Sequence, residues 1–168
     1  MKKLPGTLIK KLAVCRLLVM DFDGVLTDNK VYTTSDGKEL VRCDRSDSLG
    51  LEMLQKLTSV KALILSKEKN PVVRQRAKKL RLPVLSGIDE KLAVLMREIK
   101  RRHLELKEVC YIGNDINDLA CMNAVGLAVA VKKPHPKLMA VADFVTEKEG
   151  GNGAVREICD LIIQNFKH

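Results

Sequence analysis

The chain has 168 residues, 46% hydrophobic but only 3% aromatic, with no Trp. That length suits one domain with an aliphatic core, and the scarcity of rings argues against nucleic-acid binding by base stacking. Thirty basic against 21 acidic residues give a net charge of +9; the basic residues are spread along helical stretches such as 74–81 and 97–103 with no aromatics interleaved, so a solvated surface accounts for them as well as any specific role. The five cysteines form no CxxC pair and read as reduced thiols of a cytoplasmic protein. No apolar run approaches the ~20 residues of a membrane span.

Residues 1–12 read as a peripheral lead-in, and 13–168 as one domain. Cys15–Asp21 is a continuous apolar run ending in an acid, the pattern of a buried parallel strand. Two β-rich runs, Lys30–Thr34 and Lys38–Cys43, flank the turn signal Ser35-Asp36-Gly37 and predict a hairpin at about 30–43. Asp47–Leu57 carries Leu49, Met53, Leu54 and Leu57 at helical spacing. Val60–Leu65 predicts a second buried strand. Asn70-Pro71 is an N-cap followed by an N1 proline, opening a helix to about Leu80. Further along come a short strand at Pro83–Leu85, a helix capped by Asp89 and running to His103, a strand at Val109–Ile112 and a short helix at Asn117–Asn123. Gly126–Ala130 predicts a strand, His135–Val141 a helix, Asp143–Val145 a short strand, and Ala154–Phe166 the closing helix. Strands alternating with helices imply an α/β fold, a three-layer Rossmann-like parallel sheet from which the hairpin projects. In such sheets ligands bind beyond the carboxyl ends of the strands.

After the first strand stands Asp21-Phe22-Asp23-Gly24-Val25-Leu26-Thr27-Asp28. Two carboxylates two residues apart point the same way on a strand, and close together they cannot both ionise freely. Gly24 allows a tight turn that aims N–H groups into the site. Alone, such an acid pair is more often an ordinary strand-end turn. After the second long strand comes Ser66, whose hydroxyl can hold a phosphoryl oxygen. After the third comes Lys91, alone better read as a solvated helix lysine. After the fourth comes Gly113-Asn114-Asp115-Ile116-Asn117-Asp118, a group of side-chain oxygens of the kind Mg²⁺ takes. Taken separately these are weak signals; four groups in that order after four successive strands are not.

This ordered set resembles the haloacid dehalogenase superfamily of phosphohydrolases. More narrowly, it is similar to the 3-deoxy-manno-octulosonate 8-phosphate phosphatases and their relatives acting on nine-carbon, sialic-type 9-phosphates. The resemblance covers Cys15 to the C-terminus and rests also on Asp36-Gly37, Tyr111–Met122, Val125–Val131 and Gly150–Ile162. It implies that Asp21 is the nucleophile and forms an aspartyl-phosphate, while Asp23 protonates the leaving oxygen and then activates water. It implies Mg²⁺ held by Asp21, the Asp23 carbonyl, Asn114 and Asp115. Phosphate binding falls to Ser66, Lys91 and the Gly24 turn.

Two positions depart from the common pattern. Asn114 stands where most of the superfamily has the metal-binding Asp, and an amide brings no charge. Ser66-Lys67-Glu68 stands where the octulosonate branch has Thr-Gly-Arg; Glu68 accepts hydrogen bonds where Arg would pair with a carboxylate, and Glu at that place resembles the nine-carbon branch. The resemblance further implies no large cap domain, a homotetramer built around the hairpins, a flexible Gly150–Gly153 segment near the site and Arg156 as an anion contact. A rival reading is a phosphatase-like oligomerisation module of low activity, similar to the C-terminal domain of acylneuraminate cytidylyltransferases. Asn114 is its main support; the intact Asp21, Asp23, Ser66 and Lys91 speak against it.

Overall fold

The structure is a computed structural model that describes residues 4–166. In chain order the elements are α1 (Gly6–Ala13), β1 (Leu17–Met20), β2 (Thr27–Thr33), β3 (Glu39–Cys43), α2 (Arg45–Leu57), β4 (Lys61–Leu65), α3 (Val72–Leu80), β5 (Val84–Leu85), α4 (Lys91–Arg101), β6 (Val109–Gly113), α5 (Leu119–Ala124), β7 (Leu127–Ala130), α6 (Pro136–Met139), β8 (Phe144–Val145) and α7 (Ala154–Asn165). One-turn 3₁₀ helices precede β6 and α5, at Leu106–Glu108 and Ile116–Asp118.

Six strands form one parallel sheet in the order β5-β4-β1-β6-β7-β8, and β2-β3 is a separate antiparallel ribbon. The central strand pairs on both sides, Leu18 lying opposite Ala62 and Cys110. Strand neighbours of β1 come from later in the chain on each side, so the order reverses there and a crevice opens at its carboxyl end. Side-chain alternation explains why β1 reads as unbroken apolar sequence. Leu18, Met20, Ile64 and Ile112 face one core under α1, α2, α3 and α7. Leu17, Val19, Leu65 and Tyr111 face another under α4, α5 and α6. Both faces are covered, as a parallel sheet requires.

The sequence reading and the fold part company at the ends of elements and at the start of the chain. The lead-in is a helix: α1 buries Leu8 and Leu12 in the core shared with α7. The part of it at residues 1–3 lies outside the described residues. In α2 the inward face is Asp47, Gly50, Leu51 and Leu54, while Leu49 and Leu57 are exposed. The helix after Asn70 begins at Val72, whose N–H is accepted by the Asn70 side chain. Asp89 does not cap α4; it faces Lys67 across 3.7 Å. Among the described residues no helix is long and apolar enough to cross a membrane.

Candidate active site

The carboxyl ends of β1, β4 and β6 converge on one cavity of about 310 Å³, lined by Asp21, Asp23, Asn29, Ser66, Lys67, Glu68, Asn114, Asp115, Ile116 and Asn117. Asp21 follows β1 directly and is almost fully buried, with Oδ1 accepting from its neighbour Phe22 N–H at 2.7 Å. Lys91, 3% exposed at the start of α4, reaches beneath it: Nζ lies 2.9 Å from Asp21 Oδ1 and 2.8 Å from Asp118 Oδ1. Burial, then the charge of Asp118, pushes the Asp21 carboxyl up to about 7, against the pull of Lys91. Burial alone would lower the Lys91 ammonium, but Asp21 and Asp118 outweigh it and hold it above its ordinary value. Burial, then the nearby Glu68, raises Asp23 as well. A carboxyl that keeps its proton nearer neutrality can act as a general acid.

Asp118, which sequence reasoning did not single out, organises the floor of this site. It is fully buried and accepts on both oxygens. Tyr111 Oη (2.7 Å) and Lys91 Nζ donate to Oδ1, while the N–H groups of Asn114 (3.0 Å) and Asp115 (3.5 Å) donate to Oδ2. The one available signal is the Asp-x-x-Asp spacing of 115 and 118, which forms a capping box on the 3₁₀ turn. That box also engages Asp115: its Oδ1 accepts from Ile116 N–H at 2.6 Å, and the residue sits exposed at the cavity rim.

Ser66 is buried and its hydroxyl oxygen accepts from Glu68 N–H at 3.0 Å, leaving the hydroxyl proton to donate elsewhere. Glu68 Oε1 accepts from Asn70 N–H at 2.6 Å, so one of its oxygens braces the approach to α3. The Gly24 turn was expected to aim N–H groups into the site; the N–H of Gly24 itself donates to Thr27 Oγ1 at 3.1 Å. What the glycine supplies is room, at φ +77°: a Cβ there would lie 2.0 Å from Asn114 Nδ2. Arg156 is not brought to this cavity. Its Nε pairs with Asp160 one turn along α7 at 2.8 Å, and its N–H donates to Asp47 of α2.

The Gly150–Gly153 segment is a packed brace rather than a flexible piece. Gly151 N–H donates to Val25 O at 3.0 Å, and Arg42 reaches the side chain of Asn152. A Cβ on Gly150 would lie 1.8 Å from the Gly24 carbonyl oxygen, so the segment presses against the back of the Gly24–Asp28 loop. Gly150→Ala is therefore expected to cost about 3 kcal/mol, roughly 6–12 °C in melting temperature for a chain of this size. Turnover should fall with it, because the displaced backbone carries Asp23. Thermal melting beside initial rates checks this; an unshifted melt would mean that the loop yields freely.

The donors suit a hard divalent cation. Among the described residues no three His, Cys, Asp or Glu side chains cluster to hold a metal. Mg²⁺, however, takes amide and main-chain oxygens and keeps waters, and here the Asn114 Oδ1 is buried with no hydrogen-bond partner, on a cavity wall shared with Asp21, Asp23 and Asp115. A buried acceptor of that kind has given up water with nothing in return, and an ion in the cavity would satisfy it.

The parallel sheet thus carries a buried acid at the carboxyl edge of its central strand, ion-paired to a buried lysine. The chain belongs to the haloacid dehalogenase-like hydrolases, whose family match spans residues 49–158, and it is a phosphomonoesterase. Within that class it is similar to the 3-deoxy-D-manno-octulosonate 8-phosphate phosphatase KdsC of Escherichia coli K12, at 37% identity over 92% of this chain and 82% of that protein. The crystal structure of the Yersinia pestis 3-deoxy-D-manno-octulosonate 8-phosphate phosphatase matches with TM-score 0.93 at 33% identity, covering 96% of this chain and 88% of that one. The Moraxella catarrhalis enzyme, crystallised with magnesium, phosphate and KDO, matches with TM-score 0.90 at 34% identity over 94% and 91% of the two chains.

Proposed function

We propose that the chain hydrolyses the phosphate monoester of an eight- or nine-carbon ulosonic acid, by way of an aspartyl-phosphate on Asp21. The observation that carries this is the meeting of Asp21, Asp23, Ser66 and Asn114 on one cavity with Lys91 ion-paired beneath it. A carboxylate oxygen of Asp21 attacks phosphorus as the bond to the sugar oxygen breaks, and the leaving oxygen takes the Asp23 proton. The Asp23 carboxylate then takes a proton from water. That water's oxygen attacks the phosphorus, releasing inorganic phosphate and Asp21. Ser66 and Lys91 neutralise the transferring group, which needs positioning and charge more than covalent assistance.

Asp21, the Asp23 carbonyl and Asn114 Oδ1 would hold Mg²⁺, with Asp115 at the rim. Bound there, it supplies positive charge to the phosphoryl oxygens. A neutral amide among the ligands favours weak metal affinity, the one observation on the side of a low-activity module.

The substrate after which these relatives are named favours the eight-carbon 8-phosphate. Glu68 on the cavity wall bears the other way, since it would repel a carboxylate and accept from hydroxyl or amide groups. Glu68→Arg is expected to move preference toward the eight-carbon substrate by about tenfold in kcat/KM, the worth of one charged hydrogen bond. Equal ratios for mutant and wild type would mean that Glu68 does not read the sugar. We further propose a homotetramer assembled through the hairpin, because Val31, Tyr32 and Leu40 stand more than half exposed on an isolated two-stranded ribbon.

The reading as a whole is tested by phosphate release from a panel of eight- and nine-carbon sugar-acid phosphates, with Mg²⁺ or with EDTA. Metal-dependent release from one of them is expected. A folded protein that releases none would favour the oligomerisation module.

A further inference from the structure

Phosphoryl transfer as written gives no task to the buried Tyr111 hydroxyl. Tyr111 lies in the middle of β6, fully buried, and donates to Asp118 Oδ1 at 2.7 Å. It touches none of the groups that line the cavity in the way a substrate contact would; it is absent from the cavity wall.

We infer that Tyr111 is a positioning residue for phosphoryl transfer, its hydroxyl locking the Asp118 carboxylate so that Lys91 is presented to the transferring group.

Three pieces of geometry support it. An ammonium has three protons to give. Lys91 Nζ directs two of them at Asp118 Oδ1 and Asp21 Oδ1, so one remains for a phosphoryl oxygen. Its direction is fixed by where the first two point. A carboxylate can turn about its Cβ–Cγ bond unless donors hold both oxygens. On Asp118 the Asn114 and Asp115 amides hold Oδ2, while Tyr111 and Lys91 hold Oδ1. Of those four donors, Tyr111 alone has neither a cavity-lining position nor a place in the chemistry. Finally, Oδ1 shared between a phenol and an ammonium pulls less on each. Without the phenol, Oδ1 has Lys91 as its sole remaining donor of the four, and Asp118 draws Lys91 away from Asp21 and from the phosphoryl group.

Phe in place of Tyr111 keeps the ring in the core, so the hydroxyl's role separates from packing. In Tyr111→Phe, kcat is expected to fall about tenfold with KM within about twofold, the worth of one hydrogen bond to a charged group. Orthovanadate with Mg²⁺, measured by calorimetry, should bind about tenfold more weakly, since it demands the same Lys91 proton without turnover. In an Asp118→Ala background, which leaves Tyr111 no acceptor there, the further change Tyr111→Phe should cost neither, because its effect runs through Asp118. Unchanged kcat and vanadate affinity with a lowered melting temperature would show a merely structural tyrosine and overturn the inference. So would an undiminished tenfold loss in the Asp118→Ala background. The inference rests on the phosphatase reading, and the two fail differently: a wild type that binds vanadate but releases no phosphate sinks that reading and leaves the affinity comparison standing, whereas one that does neither sinks both.

Discussion

Asp21→Asn is expected to abolish phosphate release, by at least ~10³-fold, while leaving a protein that folds as well as the wild type or better. The loss follows from chemistry, since an amide oxygen is no nucleophile toward phosphorus. The fold survives because of where the side chain's bonds go. Both contacts of Asp21, from Phe22 N–H and from Lys91, fall on Oδ1. An asparagine can keep its carbonyl oxygen there and turn its Nδ2 toward the cavity. The exchange also removes a charge that burial opposes: the Asp21 carboxyl is pushed up to about 7, first by burial and then by Asp118. Lys91 keeps Asp118 as its partner, so no buried cation is stranded. Rates on the best sugar-acid phosphate, beside thermal melting in EDTA, check both halves. Residual turnover within tenfold of wild type would remove Asp21 from the role of nucleophile.

The positions of Asp21, Ser66 and the Asn114 loop were legible because each follows a run apolar on both faces. In a parallel sheet such a run can only be a strand, and its end can only be the ligand edge. What the sequence concealed depends on distance along the chain. Asp118 looks like the tail of a polar loop until the fold brings it against Lys91, 27 residues earlier. Lys91 reads as one more exposed lysine in a chain of +9 charge; only its buried acid partners make it otherwise. The glycines at 150 and 151 suggest a flexible linker because nothing local shows that the back of the Gly24–Asp28 loop closes on them. The helix α1 hides behind Pro5-Gly6 and the lysines around Leu8 and Leu12, whose burial depends on α7 at the other end of the chain. Arg156 looked available for an anion since its i+4 partner, Asp160, offers an ordinary surface pair that carries little weight in a sequence.

Asp118→Asn is expected to act in the opposite sense on stability, though it is the same chemical change a few ångströms away. Asp118 receives donors on both oxygens, and an amide has only one. If the carbonyl stays toward Tyr111 and Lys91, the new NH₂ meets the Asn114 N–H, with the Asp115 N–H beside it at the looser 3.5 Å. If it turns round, the NH₂ meets a phenol and an ammonium. Either way a buried donor faces a donor, at a cost of about 2–3 kcal/mol, or roughly 4–12 °C in melting temperature. Activity should fall about 10²-fold or more, the scale of losing one aligned charge at the transferring group, and it should fall whichever way the amide lies. The first orientation loosens the loop that holds Asn114, and the half-saturating Mg²⁺ concentration rises. The second releases Lys91, and vanadate affinity falls at unchanged Mg²⁺ demand. Melting curves for the two Asp→Asn variants in EDTA decide the matter. If Asp118→Asn melts with the wild type, the carboxylate does not clamp both sides. If it melts low and Asp21→Asn does not, the two buried acids of this site divide the work, one reacting and the other holding the cation and the metal loop in place.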